Sequence, residues 1–111
     1  MKLAIVGSRG LTSPDIEGNI PDGVTEIVSG GAVGIDTAAR EYALSHGIIF
    51  DEFLPDYGKY GRRAPLIRNL EIAKYADAAL IFWDGASRGT KHAMECFLSL
   101  EKPFTLIKKE N

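Results

Sequence analysis

The sequence has 111 residues, which is long enough for one hydrophobic core, and we expect a single domain over residues 1–111. Apolar residues make up 45% of the chain and charged residues 25%, the proportions of an ordinary globular protein. The net charge of −2 excludes a chain-wide basic surface for nucleic acid or acidic membranes, so any anion site must come from a local arrangement of charge.

The first half of the chain alternates short apolar runs with helical patterns. Residues 2–7 (KLAIVG) and 25–29 (TEIVS) are apolar runs of the kind expected for strands buried on both faces. Between them, residues 13–19 form a weak helix candidate with Pro14 in its first turn. From 34 to 46 the apolar positions follow the helical period and predict a helix. These positions are Ile35, Ala38, Ala39, Tyr42 and Ala43.

The second half continues the alternation and predicts three more strands, at residues 48–53, 77–83 and 103–107. A loop is expected over 55–63. A helix over 65–75 follows, with Leu66, Leu70 and Ala73 on its apolar face. A last helix is expected after 84-DGASRG-89. Its apolar face comprises Thr90, Ala93, Met94, Phe97 and Leu98.

This alternation predicts an α/β fold, a single Rossmann-like doubly wound parallel sheet of about five strands with helices on both faces. Right-handed crossovers favour the strand order 3-2-1-4-5. In such sheets a ligand crevice lies at the carboxyl ends of the strands, where the strand order reverses. For this order the reversal falls between strands 1 and 4.

Three turns at carboxyl ends of strands are rich in glycine and small polar residues: 7-GSRG-10, 29-SGGAVG-34 and 85-GASRGT-90. Glycine removes the Cβ that would hold a ligand away from the backbone. Each turn leads into a predicted helix, whose first amides and dipole favour an anion. Seven basic residues fall in these turns, in the 55–63 loop or just beyond, and predict a local positive crevice. They are Arg9, Lys59, Arg62, Arg63, Arg68, Arg88 and Lys91.

Several single residues have two interpretations. Asp36 lies in the first turn of its helix, where it either pairs with Arg40 at i+4 or accepts hydrogen bonds from a ligand. Asn69 shares the apolar face of its helix, so we expect its amide to point towards the sheet, bracing a turn or touching ligand. Glu95 is predicted to face solvent, and Cys96 to be a buried structural thiol.

The sequence gives no sign of a metal, a cofactor or a membrane partner. One cysteine excludes an internal disulfide and a multi-cysteine metal site, and the two histidines have no partner cluster. The N-terminal apolar run is too short for a signal peptide, and no stretch is long enough to span a membrane. We therefore expect a cytoplasmic protein. Exposed leucines such as Leu44 and Leu100 leave room for a homodimer interface.

The stretch 27-IVSGGAVGIDTAAREYALSHG-47 resembles the signature of the DNA-processing (DprA/Smf-like) proteins, in which a strand ends in S-G-G-A-x-G-I-D and enters a helix. The segment from Pro55 to Phe97 is similar to the compact stand-alone YpsA-related branch, with its P-x-x-[WY] loop, R-N pair, A-D strand start and G-x-S-x-G-T turn. Both belong to the SLOG superfamily of Rossmann-like proteins, which also includes the LOG phosphoribohydrolases. The resemblance covers nearly the whole chain.

The resemblance implies a crevice for a nucleotide-like or phosphoribosyl ligand. The positions that match ligand contacts of the family are Gly7, Ser8, Arg9, Ser29, Gly30, Gly31, Gly34, Asp36, Arg68, Asn69, Gly85, Ser87, Gly89 and Thr90. The LOG enzymes carry a catalytic Glu three residues after the Thr of their glycine-rich turn, and here that position is Ala93. Glu95 lies about 200° around the helix from it and is no simple substitute.

We therefore predict a module that binds, and senses, a nucleotide or phosphoribosyl compound. Turn amides would hold its phosphate, with charge-assisted bonds from Arg9, Arg68 and Arg88. The 55–63 loop would act as a lid. One alternative is an enzyme, a nucleoside-phosphate N-glycosidase or phosphoribohydrolase with Asp36 as the candidate catalytic acid. Another is single-stranded nucleic-acid binding, with base stacking on Tyr57 and Tyr60.

Overall fold

The computed structural model describes residues 1–11 and 15–108. Within these residues the chain forms five strands: β1 (Lys2–Gly7), β2 (Glu26–Ser29), β3 (Ile49–Glu52), β4 (Ala78–Trp83) and β5 (Phe104–Lys108). The helices of the same residues are α1 (Val33–Ser45), α2 (Tyr57–Tyr60), α3 (Ala64–Tyr75) and α4 (Arg88–Ser99). Short 3₁₀ turns lie at Glu17–Asn19 and Gly61–Arg63.

The strands form one parallel sheet in the order β3-β2-β1-β4-β5, which confirms the predicted fold and strand order. Strand β1 is central, because Leu3 pairs with Ile27 of β2 on one side and with Ala78 of β4 on the other. Chain order therefore reverses between β1 and β4. The carboxyl ends of these two strands leave a gap between their helical connections, the position in which such folds carry their ligands.

Both faces of the sheet are covered, which explains why the central strands are apolar throughout. In β1, Leu3 and Ile5 pack on the side of α1, whereas Ala4 and Val6 face α3 and α4. The α1 side is closed by Ile35, Ala39 and Ala43, together with Leu11 and Ile16. The opposite side is closed by Ile72, Ala73, Cys96 and Phe97.

The outer strands and two helix faces differ from the prediction. Strands β3 and β5 form the edges of the sheet, so Ile49 is 63% exposed and Leu106 41% exposed. The apolar face predicted for α3 is confirmed for Ala73 and wrong for Leu66 and Leu70, which are exposed. The buried face of α3 instead carries Ala64, Asn69 and Ile72 beside Ala73. Leu98 of α4 was also expected in the core and is exposed. These leucines follow the helical period, but α3 and α4 turn a neighbouring face towards the sheet.

Two predicted segments are shorter or more ordered than expected. The loop predicted at 55–63 is instead helical, because the Asp56 carboxylate caps α2 by accepting from the Lys59 amide at 3.1 Å. The helix predicted at 13–19 is reduced to the turn Glu17–Asn19, whose start is braced by Asp15 accepting from the Gly18 amide. Its predicted first residues, Ser13 and Pro14, lie outside the described residues. Across the described ranges, no helix is both long and apolar enough to cross a membrane.

Candidate functional site

A crevice of about 440 Å³ opens at the carboxyl ends of β1, β2 and β4. It lies at the reversal of strand order, where the sequence predicted it. Each of the three glycine-rich turns contributes to its walls, and the start of α3 closes the remaining side. The residues that line it are Val6, Gly7, Arg9, Gly10, Ser29, Gly30, Ala32, Tyr57, Pro65, Arg68, Asn69, Asp84, Ser87, Gly89, Thr90 and Ala93.

The floor beside β1 is fixed by Ser8, which is buried and ties three elements together. Its amide donates to the Phe82 carbonyl of β4 at 3.0 Å, and its Oγ accepts from the Asp84 amide at 3.2 Å. The same Oγ lies 3.1 Å from Oγ1 of Thr90 in α4. Gly7 allows this close approach, because a Cβ there would lie 2.7 Å from the Phe82 carbonyl oxygen. The turn after β1 is therefore held rigidly against β4 and α4.

The floor beside β2 contains a hydroxyl without a partner. Ser29 lines the crevice at the end of β2 and is only 1% exposed. Within the ranges that the structure describes, its Oγ makes no hydrogen bond. A buried hydroxyl without a partner destabilises a fold by about 1–3 kcal/mol, so such groups are rare outside functional sites.

The first turn of α4 forms the wall opposite β2. Ser87 is its N-cap, and its Oγ accepts from the Thr90 amide at 3.4 Å. Asp84 braces the preceding turn, because its Oδ1 accepts from the amides of Ala86 and Ser87 at 2.9 and 2.7 Å. These bonds lower the pKa of Asp84 and keep it charged. The other amides of the first turn, those of Arg88 and Gly89, have no acceptor within the helix. Gly89 carries no side chain that would cover them.

Arg68 and Asn69 of α3 face the crevice together. Arg68 is partly buried, donates from one terminal nitrogen to the Gly30 carbonyl, and donates from Nε to Asn69 Oδ1 at 3.0 Å. Asn69 is buried and hydrogen-bonded, as the sequence predicted. Burial lowers the pKa of Arg68 and the nearby charge of Arg9 adds to this, while Tyr57 opposes both. Arg68 is therefore a cation held in a partly desolvated place.

The crevice has a surplus of positive charge. Its charged lining residues are Arg9, Arg68 and Asp84, and Asp84 is already engaged by two backbone amides. Among residues 1–11 and 15–108, no carboxylate lies within 4.0 Å of the guanidinium nitrogens of either arginine. An acidic ligand would supply the missing partner.

The positive region is smaller than the sequence predicted. Of the predicted basic residues, Lys59 lies in a neighbouring depression that Arg68 separates from the crevice, and Arg63 lines a groove between α3 and α4. Tyr57 lines the crevice, whereas Tyr60 lies in the depression with Lys59. Of the two tyrosines predicted to stack on a base, Tyr57 is therefore the one that a ligand in the crevice could contact.

The structure brings most of the predicted ligand positions together, but some of them do not line the crevice. Those outside the lining are Ser8, Gly31, Gly34, Asp36, Gly85 and Arg88. Ser8 lies beneath the floor, as described above. Gly31 has a φ of 89° and packs its Cα side against Leu54, while Gly85 has a φ of 85° and faces the Lys108 side chain. Both glycines shape turns whose neighbouring residues line the crevice, but they are not themselves part of its lining.

Asp36 belongs to a separate cluster of charges. Arg40 approaches its Oδ2 at 3.5 Å and also binds the Glu52 carboxylate of β3, so the pairing predicted for Asp36 and Arg40 is present. The neighbouring Asp36 carboxyl group, together with burial, raises the pKa of Glu52. In the described residues Asp36 Oδ1 has no hydrogen-bond partner. The candidate catalytic acid is therefore beside the crevice but outside its lining.

Sequence reasoning missed several lining residues, most importantly Asp84. An acid that directly follows the strand at the reversal of strand order is a signal that could have found it, in 83-WDG-85. Ala93 also lines the crevice, where it contributes a methyl group. Glu95 and Cys96 lie where they were predicted, the first exposed and the second buried. Burial raises the pKa of the Cys96 thiol.

The fold and the site together define a class, the Rossmann-like α/β domains with a crevice at the carboxyl edge of a parallel sheet. Comparisons of the chain with family models, with curated proteins and with solved structures found no match.

Proposed function

We propose that the crevice binds a nucleotide-like or phosphoribosyl anion, with the phosphate held between the turns after β1, β2 and β4. The observation that carries this proposal is Arg68, a partly buried cation that lines the crevice without a carboxylate partner among the described residues. An unpaired charge in such a place costs stability. A phosphate offers the bidentate acceptor that a guanidinium prefers.

Two helix N-termini support the same position for the phosphate. Helix α1 begins after Ala32 without a side-chain cap, and α4 begins after Ser87. Both capping positions line the crevice, so the amides and dipoles of both first turns favour negative charge there. The one acidic residue of the lining among the described residues, Asp84, opposes this field, but its carboxylate accepts hydrogen bonds from two amides of its own turn.

The rest of the crevice suits a compact ligand with polar and aromatic groups. Its volume of about 440 Å³ is within the usual range for small-molecule pockets. The buried Ser29 hydroxyl would gain a partner from a ligand that reaches the floor. Tyr57 at the rim offers a ring for stacking a base, and the resemblance to the SLOG superfamily supports the same class of ligand.

The proposal is binding and does not include cleavage of the glycosidic bond. The position matching the LOG glutamate is Ala93, which offers no proton donor or nucleophile. Asp84 is the acid of the lining, and two amide hydrogen bonds lower its pKa. A general acid needs the opposite shift to hold a proton near neutral pH.

Isothermal titration with AMP, ribose 5-phosphate, inorganic phosphate and a short single-stranded oligonucleotide tests the proposal. We expect AMP and ribose 5-phosphate to bind and Arg68→Gln to weaken binding roughly ten- to a hundredfold, the loss of one charge-assisted contact. Arg62→Gln is the matched control, because Arg62 is exposed and lies outside the lining.

Absence of binding by all four compounds at millimolar concentration would contradict the proposal. Equal losses in Arg68→Gln and Arg62→Gln would also count against it, since they would indicate a general effect of surface charge. Tight binding of the oligonucleotide with no binding of AMP would instead favour the single-strand alternative.

A further inference from the structure

The side-chain amide of Asn69 contacts three groups that determine its orientation. Oδ1 accepts from Arg68 Nε at 3.0 Å, while Nδ2 lies 3.2 Å from the Gly89 carbonyl oxygen and 3.1 Å from His92 Nδ1. Asn69 therefore connects the arginine of the crevice with the first turn of α4. It also connects both with His92, which is outside the lining of the crevice.

The chemistry of two of these partners leaves one choice for the amide. An arginine Nε–H only donates, so the atom facing Arg68 must be the oxygen of Asn69. A backbone carbonyl only accepts, so the atom facing Gly89 must be the amide nitrogen. The second N–H of that nitrogen then points at His92, and His92 Nδ1 has to accept it.

This arrangement requires a neutral His92 with its proton on Nε2. An imidazolium carries a proton on both nitrogens, so charging His92 would set an N–H against the N–H of Asn69. The Cys96 sulfur lies 3.8 Å from both ring nitrogens, and Arg63 and Glu95 line the same groove.

We propose that His92 is a positioning residue, whose neutral ring fixes the Asn69 amide and thereby holds Arg68 in place for the anion. This inference rests on the proposed function of the crevice and adds a regulation to it. Histidine is the side chain whose charge ordinarily changes between pH 5 and 8. Protonation of His92 would release the Asn69 amide, remove the acceptor of Arg68 Nε and weaken anion binding.

The first test measures AMP affinity at pH 5.5 and pH 8.0 in the wild-type protein and in His92→Asn, His92→Phe and His46→Asn. Asparagine at 92 offers an oxygen near the place of Nδ1 and does not titrate, whereas phenylalanine has no acceptor. His46 lies exposed at the end of α1 and serves as the matched control. Comparing variants at each pH cancels the ionisation of AMP itself.

We expect His92→Asn to bind AMP roughly three- to tenfold more tightly than the wild type at pH 5.5 and about equally at pH 8.0, a difference of one hydrogen bond. His92→Phe should bind weakly at both pH values, and His46→Asn should follow the wild type. If His92→Asn keeps the pH dependence of the wild type, the proposed positioning role is wrong.

The second test is made on the free protein, so it separates failure of this inference from failure of the proposed function. Long-range ¹H–¹⁵N spectra at pH 8.0 should show the His92 proton on Nε2, with Nδ1 unprotonated. The Asn69 amide protons and the Arg68 Nε–H should then shift with the His92 titration, but not in His92→Asn. A proton on Nδ1, or amide signals independent of His92, would overturn the inference even if AMP binds.

Discussion

Two equally buried serines give a direct test of whether the crevice leaves a hydroxyl free for a ligand. Ser8 and Ser29 are each 1% exposed. Ser8 directly follows β1 and Ser29 is the last residue of β2, so both lie at the same edge of the sheet. They differ in their partners: Ser8 Oγ contacts Thr90 and the Asp84 amide, whereas Ser29 Oγ has no partner within the described part of the chain. Substitution by alanine removes the same atom from each.

The expected effects on stability have opposite directions. Ser8→Ala leaves the Asp84 amide without its acceptor, which should lower the free energy of unfolding by about 1–3 kcal/mol. Ser29→Ala removes a buried hydroxyl that gains nothing in the free protein, so stability should stay the same or rise by up to about 2 kcal/mol. For AMP binding we expect Ser29 to matter more than Ser8, with Ser29→Ala weakening the affinity roughly three- to tenfold.

Urea denaturation followed by fluorescence measures the first quantity. The reporter is Trp83, the one tryptophan of the sequence, whose Nε1–H donates to the Ser87 carbonyl beside the crevice. Titration calorimetry with AMP measures the second. If Ser29→Ala loses as much stability as Ser8→Ala and binds AMP as the wild type does, the Ser29 hydroxyl has a structural role and the reasoning fails.

Two further predictions concern the sheet that carries the site. Gly7→Ala should lower the free energy of unfolding by about 1–3 kcal/mol in urea denaturation, because its Cβ would meet the Phe82 carbonyl oxygen at 2.7 Å. Gly89→Ala is the control, because among the described residues its Cβ would meet no heavy atom within 4 Å apart from its chain neighbours and the backbone of its own helix. An equal loss of stability in both variants would contradict this prediction. Asp77→Asn should reduce the loss of Tm on acidification. The Lys2 amide donates to the Asp77 carboxylate at 2.8 Å and lowers the pKa of Asp77 below 3.8, so the charged carboxylate stabilises the fold above pH 3.8 and this stabilisation is lost as the pH falls through the lowered pKa. If the Tm of the variant falls with pH in parallel with that of the wild type, this prediction is wrong.

The sheet was predictable from the sequence because its central strands are buried on both faces. A continuous apolar run such as 78-AALIFW-83 predicts a strand buried on both faces of a sheet. The helical patterns between such runs then predict that neighbouring strands are parallel. The edge strands β3 and β5 and the helix faces were less predictable. Leu66 and Leu70 repeat at the helical period as core residues do, and only the packing of α3 against α4 leaves them exposed.

The position of the site was predictable, but its energetic character was not. Three glycine-rich turns at one edge of the sheet indicated a crevice, and all three contribute to it. Of the seven basic residues, Arg9 and Arg68 line the crevice. Which ones reach it depends on how the helices are oriented, and Arg63, at the start of α3, lines a different groove. That Ser29 Oγ has no partner in the described parts of the chain, or that Asn69 contacts His92, depends on how closely elements remote in sequence pack together.

Two groups of the crevice lining argue for a ligand: in the described residues the Ser29 hydroxyl has no hydrogen-bond partner, and Arg68 has no carboxylate partner. Asp84 provides the contrast. Its charge is matched by two amides of its own turn, so it stabilises the free protein and needs no partner from outside. Arg68 is matched by a carbonyl and an amide oxygen, which leaves its net charge uncompensated, and Ser29 is matched by nothing in the same residues. A bound phosphate would compensate the first and a ligand hydroxyl or carbonyl the second, so ligand binding should raise the Tm of this protein more than it raises that of Arg68→Gln.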